Sequence, residues 1–147
     1  LRIYDNTTGG DIIIDINTTV QACNINWMPE FAEWIWAQDY KKIGKRTTNG
    51  TFHAATLHWP KYLSTKVLPQ KSKQAISKKL NDFMSKHLDN PEIQAWQSQV
   101  EFMMSEDWSS MLDQTEDYLK NLDKMRPVRF NELYEIIGAI SIVKIED

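Results

Sequence analysis

The run Ile12 to Trp34, IIIDINTTVQACNINWMPEFAEW, constrains the fold more than any other part of the chain. Ile12, Ile14, Ile16, Val20 and Ala22 share one parity, while Asp15, Asn17, Thr19 and Gln21 share the other. A period of two is the pattern of a strand with one apolar and one hydrogen-bonding face. Asn24 follows as a turn former, and Pro29 stands where the first turn of a helix tolerates a residue without an N–H. The unit therefore reads as strand, short loop, helix. In an α/β architecture the apolar face packs under helices and the polar face points into a lumen or crevice, where ligands bind beyond the carboxyl ends of the strands. In an antiparallel sheet the same polar face simply meets water. The pattern alone fits both.

The first half of the chain alternates strand and helix signals. Met28, Phe31, Ala32, Ile35 and Trp36 recur at helical spacing, which predicts a helix from about Met28 to Asp39 whose tryptophans serve packing. A loop from Lys41 to Thr51 leads to a second strand, Phe52 to His58, which Pro60 ends because it cannot donate to a ladder. Two strands separated by a helix make a βαβ unit, for which a right-handed parallel crossover is expected. The second half reads as helices. Ile76, Leu80, Phe83, Met84 and His87 form one stripe of a helix from about Gln70 to Leu88, with lysines on its other faces. Asn90-Pro91 supplies a cap and a first-turn proline for a following helix with Ile93, Trp96, Val100 and Met103 inside. Met111, Thr115, Tyr118, Leu122 and Met125 then recur at spacings of four and three, a seam that suits a partner helix. Pro127 interrupts, Asn131 is a cap for a short helix through Ile137 closed by Gly138, and the tail AISIVKI reads as a final strand. Two or three strands cannot close a barrel, so an open sheet this small needs helices or further strands on its edges.

Several function classes lack their residues. The chain of 147 residues is long enough for one core, and its net charge of −3 comes with no basic run interleaved with aromatics, so no nucleic-acid partner is expected. No apolar stretch reaches the roughly 18 to 20 residues of a membrane span, and a cytoplasmic location is expected. Cys23 is the only cysteine, which rules out an intramolecular disulfide and a cluster held by this chain's thiolates. His53 and His58, five apart, face opposite sides of a strand, which argues against a zinc site completed by His87. Glu101, Glu106 and Asp107 read as solvated helix charges, and Cys23 as a small buried hydrophobe. No Gly-rich nucleotide loop or nucleophile elbow occurs. There remain Asn17, Thr19, Gln21 and Asn24 from the first strand, with His53 or His58 from the second. Amides, hydroxyls and imidazoles suit orientation of a polar ligand better than proton abstraction.

INTTVQACNINWMPEFAEWI, FHAATLHWPKYLSTKVLP and LDKMRPVRFNELYE together resemble the C-terminal half of radical S-adenosylmethionine (radical SAM) proteins, specifically twitch-domain or SPASM-like members. The resemblance implies a partial (β/α) barrel, a partial TIM barrel in which a CxxxCxxC motif near the first strand holds a [4Fe–4S] cluster that cleaves S-adenosylmethionine to a radical. Ile12 to Gln21 resembles the fifth barrel strand and Phe52 to His58 the sixth. Residues 1–68 are then the last strands and helix of the barrel, and residues 69–147 a helical appendage. Asn17, Thr19, Gln21 and Asn24, with His58, line the lumen near the adenosyl group or the substrate. The expected cofactors of the full-length parent are S-adenosylmethionine and the cluster, its partners the N-terminal half of the barrel and a peptide or small-molecule substrate. With Cys23 alone in place of three cysteines, this chain by itself is expected to be an inactive fragment of such an enzyme. The alternative is a noncatalytic α/β protein that binds a partner through its C-terminal helices.

Overall fold

A computed structural model of the protein describes residues 6, 16–38, 40 and 52–125. Its elements are β1 (Ile16–Val20), α1 (Met28–Ala37), β2 (Phe52–Thr56), α2 (Gln70–Lys86), α3 (Pro91–Gln94), α4 (Gln97–Met104) and α5 (Leu112–Lys124), with short 3-10 turns between them. The expectations for Ile12 to Asp15, for the loop Lys41 to Thr51, for the Asn131 helix and for the tail strand fall outside the described residues.

β1 and β2 pair in parallel, with Ile16 opposite Phe52, Asn17 opposite His53 and Val20 opposite Thr56. A parallel pair cannot be joined by a hairpin, so the intervening chain crosses over and carries α1 with it. The antiparallel alternative for the polar strand face is thereby removed. Beyond the strand ends the chains stay together, because Leu57 donates its N–H to Val20 O at 3.0 Å and Ala22 donates to Leu63 O at 2.9 Å. The alternation in β1 does what its period requires. Val20 is buried, Ile16 and Thr18 are half-buried, and Asn17 and Thr19 are exposed.

One continuous core joins the strand unit to the helices. Val20, Ala22 and Ile25 meet Met28, Ala32 and Ile35 of α1, then Val67 and Leu68, then Ile76, Leu80, Phe83 and Met84 of α2, and Ile93, Trp96, Val100 and Met103 beyond. Each such aliphatic or aromatic side chain contributes about 1.5 to 3 kcal/mol when removed from water. Aromatic stacking organises the centre, with Phe83 between Trp36 at 6.0 Å and Trp96 at 5.6 Å. His87 lies just past α2, with its ring 4.5 Å from Phe83 and 5.0 Å from Trp36. Trp34 departs from the packing role expected for it. It is 52 % exposed and, among the described residues, stacks on its helix neighbour Phe31.

Two further departures concern helices. Asn90 caps the next helix as its sequence demands, accepting from the N–H groups of Glu92 and Ile93. The expected single helix is nevertheless divided at Ala95 and Trp96, where Trp96 N–H bonds Ile93 O in the tighter three-residue pattern. Ile93, Trp96, Val100 and Met103 all remain buried despite the break. Lysines were expected on the outer faces of α2, yet Lys73 lies on its inner face and is 1 % exposed. The seam of α5 is also mixed. Thr115 is buried and donates to Tyr62 O, Tyr118 packs 5.5 Å from Tyr62, and Met125 is 76 % exposed. No helix among the described residues is long and apolar enough to cross a membrane.

Candidate functional site

Parallel pairing fixes which way the strand groups point. The Leu57 bond to Val20 O turns the backbone groups of Val20 toward β2 and, by alternation, those of Thr19 and Asn17 toward the opposite edge. Among the described residues no strand pairs with that edge. The Asn17 and Thr19 side chains share the exposed face of the pair, and His53 lies directly across from Asn17. Gln21 follows at the carboxyl end of β1, half-buried. These four define a polar wall.

The other two candidates sit differently. Asn24 folds back on the strand it follows, donating its Nδ2 to Thr19 O at 2.9 Å and accepting the Gln21 N–H on Oδ1 at 2.8 Å. Its amide closes the loop and covers part of the outer edge of β1. His58 lies two residues past β2 and presents its ring edge to Phe102 of α4 at 4.9 Å. It is on the helix side of the unit, not beside Asn17. On the same side Gln99 donates to Ala54 O at 3.2 Å and accepts from Thr56 Oγ1 at 2.8 Å, so a helix side chain takes the place of a strand at the far edge of β2.

Cys23 is buried, and burial pushes its thiol up to about 11. A thiol in that state is neither a nucleophile nor a ready metal ligand at neutral pH. Among the described residues no group of three His, Cys, Asp or Glu side chains could hold a metal ion.

Sequence reasoning missed a second polar cluster. Lys66 is 6 % exposed, in the stretch Leu63 to Leu68 of which every residue is buried. Its Nζ sits 4.3 Å from the Phe102 ring centre and 4.8 Å from that of Trp108, and it pairs with Glu106 Oε1 at 2.5 Å. Lys73 donates to the main-chain oxygen of Glu106 at 2.7 Å. Burial lowers the Lys73 pKa, with Asp107 opposing the shift and Lys66 adding to it. Glu106 and Asp107 are solvent-exposed as expected but do not lie on a helix. They stand in the loop after α4, where hydrogen bonds from Lys66 and Trp108 hold the Glu106 carboxyl below its usual range and those from Ser109 do the same for Asp107. The one available signal was a lone lysine embedded between residues destined for the core.

A groove between α1 and α2 is lined by Pro29, Ala75 and Phe83 with Lys78, Lys79 and Lys86 at its rim. Two of its three ammonium groups are matched, Lys78 by Asp82 at 2.9 Å and Lys79 by Glu30 at 2.7 Å, which leaves little net field for an anion. Comparison with known proteins gives no match to a family model, to a curated protein or to a solved structure.

Proposed function

We propose that this chain is a C-terminal part of a radical S-adenosylmethionine enzyme of the twitch or SPASM-like kind, and that the β1–β2 face supplies lumen contacts to the adenosyl group or the substrate. One observation carries the reading. A parallel pair is packed under helices on one face and bears exposed Asn17 and Thr19 beside His53 on the other. All-parallel sheets are ordinarily covered on both faces, so an open polar face on such a pair suits a lumen or crevice. The outer edge of β1, with the backbone groups of Asn17 pointing away from β2, is where preceding barrel strands would pair. The N-terminal half of the barrel is thus the proposed partner.

The role is one of binding and orientation. Asn17, Thr19 and Gln21 offer amide and hydroxyl groups to the polar edges of a nucleoside or peptide, and His53 adds an imidazole. Asn24 acts through the loop it closes, and His58 at the rim. S-adenosylmethionine supplies the radical chemistry when bound. The iron–sulfur cluster does not fit these residues, because the one cysteine of the chain is buried with its thiol pushed up to about 11. Three cysteines outside these 147 residues would have to hold it. Sequencing the reading frame upstream of Leu1 tests the proposal. A CxxxCxxC motif there supports it, and a start codon without such a motif removes radical chemistry from this polypeptide.

A second reading rests on α5, where Tyr118 and Met125 leave part of the seam uncovered. In it the chain is a noncatalytic interaction protein and the seam binds a partner helix. Light scattering on the purified chain separates the two, since a monodisperse monomer counts against a seam that needs a companion.

A further inference from the structure

The donors around Glu106 make a site that does not depend on Glu106. Lys66 Nζ meets Oε1 at 2.5 Å and Trp108 Nε1–H donates to Oε2 at 3.0 Å, so each carboxylate oxygen has its own donor. Phe102 and Trp108 wall the ammonium group, and Lys61 Nζ lies 4.9 Å from the Trp108 ring centre on the same cluster. Lys66 is more than nine-tenths buried, whereas the Glu106 side chain is 54 % exposed. The permanent part of the site is therefore the cation and the indole, and the replaceable part is the carboxylate.

Three other hydrogen bonds hold the loop without help from that carboxylate. Lys73 donates to Glu106 O at 2.7 Å, Trp108 N–H to Lys66 O at 3.0 Å, and Ser109 N–H to Asp107 Oδ1 at 2.9 Å. Turning the Glu106 side chain out into water would break none of these three bonds. A buried ammonium left without a counter-ion is unfavourable, so the vacated site recruits another anion. We propose that Lys66 and the Trp108 indole N–H form a carboxylate-binding site which Glu106 fills intramolecularly and from which an external carboxylate ligand displaces it. The chemistry favours a carboxylate over a phosphate: two donors serve two oxygens, and the aromatic faces offer nothing to a third or fourth.

Indole N–H signals of the full chain report on the site by NMR, with the Trp108 resonance assigned through Trp108→Phe. Sodium acetate is titrated against sodium chloride at constant ionic strength, with phosphate and an amide-capped glutamate as comparators. The Glu106→Gln chain is expected to show a saturable Trp108 shift at acetate concentrations at least tenfold lower than the unsubstituted chain requires. Adding Lys66→Met should abolish it. A stronger response to capped glutamate than to acetate assigns a peptide-borne carboxylate, and the reverse assigns a free acid. No acetate response beyond chloride, tighter binding of phosphate than of acetate, or a response that survives Lys66→Met overturns the proposal. If Glu106→Gln does not fold, Glu106→Asp, which withdraws the carboxylate by one methylene, gives the same comparison against the unsubstituted chain.

Discussion

Asn24 shows how a single amide can shape the end of a strand. Its two hydrogen bonds, to Thr19 O and from Gln21 N–H, hold the carboxyl end of β1 in the position from which Gln21 projects. Asn24→Ala removes both and is expected to cost about 1 to 3 kcal/mol in urea denaturation. Asn24→Asp keeps the acceptor for Gln21 N–H and should fall between the two. Cys23 carries a pH prediction. Its thiol is pushed up to about 11 from an ordinary value of 9.0, so the folded chain keeps a proton that the unfolded chain releases. Stability from this group is complete below pH 9 and is lost as the pH rises toward 11. Lys73 acts in the other direction. Its lowered pKa means that its contribution is greatest above its ordinary 10.5 and falls as the pH drops through the lowered value. Denaturation midpoints of Cys23→Ala should lack the alkaline decline between pH 9 and 11 that the unsubstituted chain shows. The same shift leaves about a hundredfold less thiolate at neutral pH than an ordinary thiol has, so a thiol-reactive probe is expected to react more slowly with the folded chain than with the unfolded one.

At the scale of elements, the strand–helix unit rests on features plain in the residues. The alternation through Ile16 to Val20, the Asn90 cap with Pro91, and the stripe from Ile76 to Met84 each have a local physical cause and each appear as expected. What the residues did not disclose was set by tertiary packing. Lys73 lies on the inner face of α2 because a main-chain oxygen from a loop 33 residues away accepts its proton, and nothing in the helical period announces such a partner. The break at Ala95 and Trp96 is equally silent in the pattern, since Ile93, Trp96 and Val100 are buried whether or not the helix runs through. The candidate site divides in the same way. Asn17 and Thr19 follow from strand parity, whereas His53 rather than His58 beside them depends on a register that only the paired strands reveal. Gln99 has no sequence signature at all, yet it covers the far edge of β2. Gln99→Leu keeps the volume but leaves Ala54 O and Thr56 without their partner. It should cost about 2 kcal/mol and speed amide hydrogen exchange in the β1–β2 ladder more than in α2.

At the scale of the whole molecule, the strand unit and the helices share one core, so the polar wall is backed by a continuous packed body. The Val20, Ile25 and Ile35 side chains lock the rear of the sheet, and the exposed face bears Asn17 and Thr19. On the proposed reading, such a backing would keep the wall rigid before a ligand arrives and limit the ordering cost of binding. The sheet has two strands among the described residues, and the proposed lumen requires further strands beside them. The most direct test of the proposed reading is a titration of S-adenosylmethionine into the chain, joined to any cysteine-bearing segment found upstream of it, followed by NMR through the side-chain amides of Asn17 and Gln21 and the His53 ring. Saturable shifts at those three, with the lysines of the α1–α2 groove unmoved, are the expected result; no saturable shift at them, or shifts confined to that groove, would contradict the proposal that the β1–β2 face contacts the adenosyl group.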